Sequence, residues 1–195
     1  MSRKKIKTFF THEAYQNIEF VPFRPLPNIP KKIPGEQDVD QRYLEILTDL
    51  DLKQEERSEY QRRSPQEKWT MYCNTAKEDS EAPSAEYIIQ CLKNRPGPEV
   101  LTATSQQLDR RRVSWTQSFI KAGGTPLLLS ILSVYTTQYG ASSSNLPQDE
   151  VVVGALKCLK TIADTKEGSN ELLKYQDALS IIVKAMNPVI PFTCD

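Results

Sequence analysis

The chain has 195 residues, with 25 basic and 25 acidic side chains and a sequence pI near 6.6. Because contacts to phosphates depend on an excess of Lys and Arg, this balance argues against nucleic-acid binding as the main function. The four cysteines lack metal-ligand spacing, and no apolar run approaches the ~18 residues of a membrane span. We therefore expect a soluble cytoplasmic protein that uses no metal or cofactor and binds no nucleic acid.

Residues 1–37 form a basic, proline-rich start that predicts an extended, partly disordered arm. Residues 20–35 contain five of the 13 prolines, and proline removes a backbone donor and blocks helix formation. Residues 2–10 combine basic and apolar side chains, which predicts weak contact with an anionic membrane. The alternative is a disordered start without a membrane role.

The segment RPLPNIP at 24–30 fits the pattern of a left-handed polyproline ligand for an SH3 domain. In this hypothesis an acidic pocket of the partner receives the arginine, and the lysines that follow support docking. The residues that match the pattern are Arg24, Leu26, Pro27 and Pro30. The alternative is a stiff linker, in which the prolines only keep the arm extended.

Apolar residues at helical spacing predict a small helical segment over residues 38–98. Asp38 or Asp40 is expected to cap its first helix, and Ser64, which precedes a proline, to cap the second. The turn NRPGP ends a third helix. The expected inward-facing residues are Val39, Tyr43, Ile46, Leu47, Leu50, Trp69, Tyr72, Cys73, Ala76, Ala85, Ile88, Ile89 and Leu92.

Residues 99–195 are predicted to form further short helices, with Thr125 capping one of them and a polar loop at 138–148. Residues 119–132 resemble residues 173–186, a weak internal repeat typical of armadillo and HEAT units. About one and a half units are present, fewer than the ~3 that an array needs, so we expect a truncated or partial chain. The expected core residues are Val100, Thr104, Leu108, Val113, Trp115, Phe119, Leu128, Ile131, Leu132, Val152, Ala155, Leu156, Leu159 and Ile162.

Five stretches carry a resemblance to a known family: DVDQRYLEILTDLDL, EKWTMYCNTAK, LDRRRVSWTQSFIKAGG, GALKCLKTIADTKEGSNELL and IIVKAMNPVIP. In their order and spacing they resemble the N-terminal regulatory region of diaphanous-related formins, over residues 37–195. With the helical patterns, the resemblance implies an all-α fold: a small helical GTPase-binding subdomain followed by the start of an armadillo-repeat solenoid.

The resemblance also implies a regulatory function. In the family, a GTP-loaded Rho-family small GTPase docks on this region and releases the formin's own C-terminal tail, which otherwise keeps actin assembly inactive. The region contacts actin only indirectly, through domains absent from this chain, and the protein is expected at the cytoskeleton. The alternative is an armadillo-type adaptor or scaffold that binds a peptide or an SH3-domain partner without GTPase recognition.

The resemblance places GTPase contacts in the turn before the VSW motif, where family members commonly carry asparagine. This chain has Asp109, Arg110 and Arg111 there, with Gln106 one helical turn earlier. Because arginine suits a planar, two-pronged grip on a carboxylate, we expect an acid-rich GTPase surface as the partner. The departure from asparagine leaves the identity of that GTPase open.

Two further basic residues complete the predicted GTPase site. Lys53 and Arg57 follow the first helix, where the family also uses basic residues against the GTPase. Successive helical residues point about 100° apart, so three consecutive arginines cannot all face one partner. We expect Arg112 to be the one that faces solvent.

Two chemical hypotheses remain from the sequence. RRVS at 111–114 matches the pattern of a basophilic kinase site with Ser114 as the acceptor, the alternative being a helix cap. His12, the one histidine of the chain, lies in the arm without a catalytic constellation around it, so we do not expect an enzyme.

Overall fold

The computed structural model describes Tyr15, residues 17–139 and residues 146–186. These residues form ten α-helices and two isolated backbone bridges, which confirms the all-α fold class. The helices are α1 Glu36–Asp49, α2 Gln54–Gln61, α3 Pro65–Glu81, α4 Ala85–Asn94, α5 Pro98–Asp109, α6 Val113–Lys121, α7 Gly124–Tyr139, α8 Leu146–Ala163, α9 Lys166–Leu172 and α10 Ala178–Met186. Among them no single helix is long and apolar enough to cross a membrane, although α6 and α7, bent by 63°, reach that length and composition together.

The helical segment has a small core of its own, formed where α1 packs against α3. Trp69 and Tyr72 stack with ring centroids 5.3 Å apart and enclose Val39 and Ile46. Val39 and Ile46 lie on one face of α1, and Trp69 and Tyr72 lie on one face of α3, at the helical spacing expected from the sequence. The two helices bury these apolar faces against each other.

The starts of these helices differ in how well the sequence predicts them. Ser64 caps α3 as expected, since its side chain accepts the Glu67 N–H while the Glu67 carboxylate accepts the Ser64 N–H at 2.8 Å. The cap predicted for α1 is wrong. That helix starts at Glu36 after Gly35, and Asp38 lies inside its first turn. There its negative charge interacts favourably with the positive end of the helix dipole.

The larger core joins α4 to α10 around two stacked rings. Trp115 and Phe119 lie with centroids 5.3 Å apart, both at most 1% exposed, and the Trp115 indole N–H donates to the Pro83 carbonyl at 2.9 Å. Helix α8 packs against α5 and α7. Close approach to α5 requires Gly154, because a Cβ there would lie 2.9 Å from the Leu101 Cβ.

Two local expectations in this region are corrected. Thr125 does not cap α7, because Gly123 turns the chain with φ +88° and the helix already begins at Gly124. The loop predicted at 138–148 is shorter than expected, because α7 continues to Tyr139 and α8 begins at Leu146. Residues 140–145 lie outside the described residues.

Three cysteines, Cys73, Cys91 and Cys158, are free among the described residues. Cys91 and Cys158 are buried in the core as expected, whereas Cys73 is half-buried. Burial raises the pKa of the Cys91 thiol to about 11 and that of Cys158 to about 12. These buried thiols are therefore protonated at neutral pH and act as apolar packing groups.

The described part of the arm is packed against the helices, contrary to the expectation of an unpacked segment. Tyr15 is 1% exposed, and its hydroxyl donates to the Arg95 carbonyl at 2.9 Å. The Phe23 N–H donates to the Ala82 carbonyl, and the Ser84 N–H donates to the Val21 carbonyl, both at 2.8 Å. Proline leaves the chain extended, and an extended chain has free backbone groups that pair with the α3–α4 connection.

Candidate functional site

A groove of about 1140 Å³ lies at the junction between the helical segment and the first helices of the larger core. Its walls come from the α1–α2 loop, from the α5–α6 turn, and from the end of α8 with the start of α9. Three parts of the chain that are distant in sequence therefore meet at one surface.

Charged side chains of both signs line this groove. The five basic ones are Lys53, Arg111, Lys157, Lys160 and Lys166, and the four acidic ones are Asp51, Asp109, Asp164 and Glu167. Such mixed charge suits the polar surface of another protein better than a small apolar ligand. Within the part of the chain that the structure describes, no three His, Cys, Asp or Glu side chains are grouped to hold a metal ion.

The backbone of Arg111 is held in an unusual conformation at the edge of the groove. Its φ of +56° lies in the left-handed region, which costs a non-glycine residue on the order of 1–3 kcal/mol. The Arg111 carbonyl accepts the Asp51 N–H at 3.0 Å, and Leu50 pairs with Arg112 in an isolated antiparallel bridge. These contacts fix the α5–α6 turn to the α1–α2 loop and thereby fix the origin of the Arg111 side chain.

Glu56 on α2 contacts the Lys53 backbone and the Arg111 side chain at this edge. Its carboxylate accepts the Lys53 backbone N–H at 2.8 Å and lies 3.3 Å from Arg111 Nη1. The Lys53 hydrogen bond, followed by the Arg111 guanidinium, lowers the pKa of Glu56 below its ordinary value. Glu56 is therefore ionised at neutral pH and partly neutralises Arg111.

Asp109 also lines the groove and is the exposed last residue of α5. The Thr161 hydroxyl of α8 is 3.4 Å from the Asp109 carboxylate and 3.2 Å from the Lys157 carbonyl. This polar contact joins α5 to α8, and Asp109 gives the groove acidic as well as basic lining.

Three of the residues predicted for the GTPase site do not line the groove. Arg57 donates to the Leu47 carbonyl at 3.3 Å, so it pairs with the last turn of α1. Arg110 is the half-buried C-cap of α5, and Gln106 lies half-buried one turn earlier on the same helix. Of the six predicted residues, the structure brings Lys53, Asp109 and Arg111 together.

The expectation that Arg112 faces solvent is wrong. Its side chain is 4% exposed and pairs with Asp79, which is itself buried, and with Asp49 at 3.7 Å. The left-handed backbone at Arg111 explains the error: it breaks the helical geometry on which the expectation rested, so Arg111 faces outward and Arg112 faces the interior.

Four charged side chains form what we name the buried ion cluster: Arg24, Asp49, Asp79 and Arg112. Arg24 of the arm pairs with Asp49 at 2.7 Å and with Asp79 at 3.5 Å. Asp49 also accepts the Ser114 N–H at 2.7 Å and thus caps α6 from another helix. The cluster connects the arm, α1, α3 and α6, and its Arg112 follows Arg111 of the groove directly in the chain.

The cluster engages two residues for which the sequence suggested other roles. Arg24, the arginine of the SH3-ligand pattern, is bound to Asp49, and Leu26 of the same pattern is 56% exposed. The Ser114 hydroxyl accepts from Arg24 at 2.9 Å and is half-buried. Both hypotheses stay predictions, and each requires the partner or kinase to compete with this contact. The membrane hypothesis for residues 2–10 lies outside the described residues.

Sequence reasoning missed the basic side of the groove that α8 and α9 supply. Lys157 and Lys160 lie three residues apart on α8, and Lys166 begins α9. Their spacing places them on one helix face, opposite the buried Ala155 and Cys158. The periodic lysines were a usable signal, but no pattern in the sequence links them to Lys53, which is distant along the chain.

Comparisons with known proteins show which family the chain belongs to. A family model described as Diaphanous GTPase-binding Domain matches residues 31–194. Formin-D of Dictyostelium discoideum is 27% identical over 104 residues, which is 53% of this chain and 8% of that protein. Disheveled-associated activator of morphogenesis 1 of Homo sapiens is 21% identical over 180 residues, which is 83% of this chain and 16% of that protein.

The chain therefore corresponds to a small part of its curated relatives. Disheveled-associated activator of morphogenesis 1-A of Xenopus laevis is 19% identical over 82% of this chain, again 16% of that protein. No solved structure matches the chain. Since the family model covers most of the chain, the resemblance inferred from the sequence is confirmed: the chain belongs to the Diaphanous GTPase-binding domain family, the N-terminal regulatory region of formins.

Proposed function

We propose that this chain binds a GTP-loaded Rho-family small GTPase through the groove at the α1–α2 loop. The observation that carries the proposal is the meeting of Lys53, Asp109 and Arg111 in one groove of a Diaphanous GTPase-binding domain. Two of these three side chains come from the turn before the VSW motif, and the third comes from the separate helical segment.

The charges suggest how such a partner is recognised. Arg111 offers a guanidinium to a carboxylate of the GTPase, and the lysines of α8 and α9 attract further acidic groups. Asp51 and Asp109 place negative charge beside them, which disfavours a partner whose own acids fall at those points. Charge complementarity of this type acts mainly on specificity and on the association rate.

The regulatory step follows from where the groove lies. A GTPase in the groove contacts the helical segment and the larger helical core together. In a longer formin-like protein, this binding relieves autoinhibition of the actin-assembling half, which lies in domains outside this chain. Actin is then an indirect partner, and the cytoskeleton is the proposed location of the protein.

A charge-reversal pair tests the role of the groove. The variant Lys53→Glu with Lys157→Glu replaces two basic groups of the groove by carboxylates, which repel the acidic groups expected on the GTPase. We therefore expect the affinity for the GTP-loaded partner to fall at least roughly tenfold, mostly through slower association. The matched control is Lys77→Glu with Lys93→Glu, two exposed lysines that do not line the groove. Binding is measured by calorimetry, and folding is checked by circular dichroism.

Equal losses in the groove variant and the control contradict the proposed site, because a general charge effect then explains both. Unchanged affinity in the groove variant also contradicts it. A folded chain that binds no member of a Rho-family panel contradicts the proposed function itself and leaves the peptide-binding adaptor as the better interpretation.

A further inference from the structure

Arg111, an exposed cation of the groove, already has an internal carboxylate beside it. Arg111 and Glu56 are 41% and 40% exposed at their side chains, and they face each other across the rim formed by α2 and the α5–α6 turn. A partner that offers a carboxylate to Arg111 therefore finds the Glu56 carboxylate already beside the guanidinium.

The ion pair between Arg111 and Glu56 is weak enough for another carboxylate to replace Glu56. A single guanidinium nitrogen, Arg111 Nη1, lies 3.3 Å and 3.4 Å from the two Glu56 oxygens. The stronger arrangement would use two nitrogens in parallel, each at a shorter distance. Exposed ion pairs contribute little to stability, so a partner's carboxylate can replace Glu56 without disturbing the fold.

The surroundings keep both groups in position for such an exchange. The Arg111 backbone is fixed by its hydrogen bond to Asp51 and by the neighbouring bridge, so the base of its side chain stays at the edge of the groove when the guanidinium leaves Glu56. Glu56 retains a second partner in the Lys53 N–H, at 2.8 Å. Its carboxylate therefore stays at the rim when Arg111 leaves it, and it competes continuously for the guanidinium.

We propose that Glu56 is an internal competitor that sets the affinity of the groove for an acidic partner by occupying Arg111 in the free protein. This inference rests on the proposed function, since the partner is the GTPase proposed above. It assigns Glu56 a specificity role: a GTPase with a well-placed carboxylate displaces Glu56, and one without it does not.

The test substitutes Glu56→Gln, which removes the charge but keeps an oxygen that accepts the Lys53 N–H. We expect the affinity for the GTP-loaded GTPase to rise roughly two- to fivefold at low salt, the range spanned by exposed ion pairs, and the gain to shrink as salt is added. The matched control is Glu45→Gln, the same charge change on an exposed α1 residue, whereas Glu56 is the carboxylate that pairs with Arg111.

A double-mutant cycle shows whether Glu56 acts through Arg111. The affinities of wild type, Glu56→Gln, Arg111→Gln and the double variant are measured by calorimetry at the same ionic strength. We expect the gain from Glu56→Gln to vanish when Arg111 is already Gln, because no guanidinium is then left to release.

Three results overturn the inference while leaving the proposed function intact: wild type binds but Glu56→Gln binds no more tightly, Glu45→Gln gives an equal gain, or the gain persists in the Arg111→Gln background. Wild type that binds no GTPase refutes the proposed function, and the competitor role falls with it.

Discussion

Two neighbouring arginines show how one backbone angle decides the role of a residue. Arg111 and Arg112 are chemically identical, yet the first is 41% exposed at its side chain and the second 4%. The positive φ at Arg111 turns the chain between them, so one guanidinium reaches the groove and the other reaches two buried acids. The same run of three arginines therefore supplies one side chain to the groove and one to the buried ion cluster.

Replacement of Arg112 by Met tests its interior role. The change leaves Asp79 and Asp49 with a single remaining cation, Arg24, which is partly exposed. We expect the free energy of unfolding to fall by about 3–5 kcal/mol, the cost of removing one partner from a buried ion pair. Urea unfolding followed by circular dichroism measures the loss.

Arg111→Met is the matched control, since it removes an equal side chain from the solvent-facing position and should change stability little. If Arg112→Met unfolds at the same urea concentration as wild type, the buried ion cluster does not stabilise the junction and its structural role is wrong.

At the scale of the elements, predictability followed the presence of an apolar face. Helix α4 was predicted correctly because Ile88, Ile89 and Leu92 make a stripe that only a helix can bury. Helix α2 has no buried residue, and α9 is a short polar helix capped by Thr165. Hydrophobic periodicity detects a helix only when apolar residues recur along one face. These two helices have no such buried stripe, so the sequence pattern does not predict them.

The arm was misjudged for a related reason. Besides the apolar contacts of Tyr15, Ile18 and Phe23 with the larger core, its partners are backbone groups of the α3–α4 connection and two carboxylates. Contacts of these last two kinds leave no periodic mark in the sequence. The family match begins at residue 31, yet the arm contributes Arg24 to the buried ion cluster. The arm thus belongs to the structural unit that supports the site.

An Arg24→Met variant tests this contribution. Because Arg24 is partly exposed, we expect a loss of about 1–2 kcal/mol in the free energy of unfolding, less than for Arg112. The Ser114 amide should exchange its hydrogen faster, since the acid that caps it is no longer held by Arg24. Hydrogen exchange with mass spectrometry reports on both effects.

The exposed Lys32 supplies the comparison for that experiment, as Lys32→Met removes a charge from the same arm without touching the cluster. Equal exchange of the Ser114 amide in wild type and Arg24→Met would mean that the arm does not hold α6 in place.

At the scale of the molecule, two cores meet at a polar junction. The α1–α3 core and the α4–α10 core are joined by the buried ion cluster and by the Leu50–Arg112 bridge, and the groove opens beside them. The resemblance located this region through Lys53, Asp109 and Arg111. It did not reveal the lysines of α8, because their proximity depends on how α8 packs on α5.

We propose that the groove binds a small GTPase in its GTP-loaded form. The most direct measurement is a calorimetric titration of the intact chain with a panel of Rho-family GTPases, each loaded either with a non-hydrolysable GTP analogue or with GDP. We expect saturable one-to-one binding of the GTP form of one or a few members, with the GDP form at least roughly tenfold weaker, as a differential of about 1.4 kcal/mol requires. Equal affinity for both nucleotide states, or no binding by the folded chain, would contradict the claim.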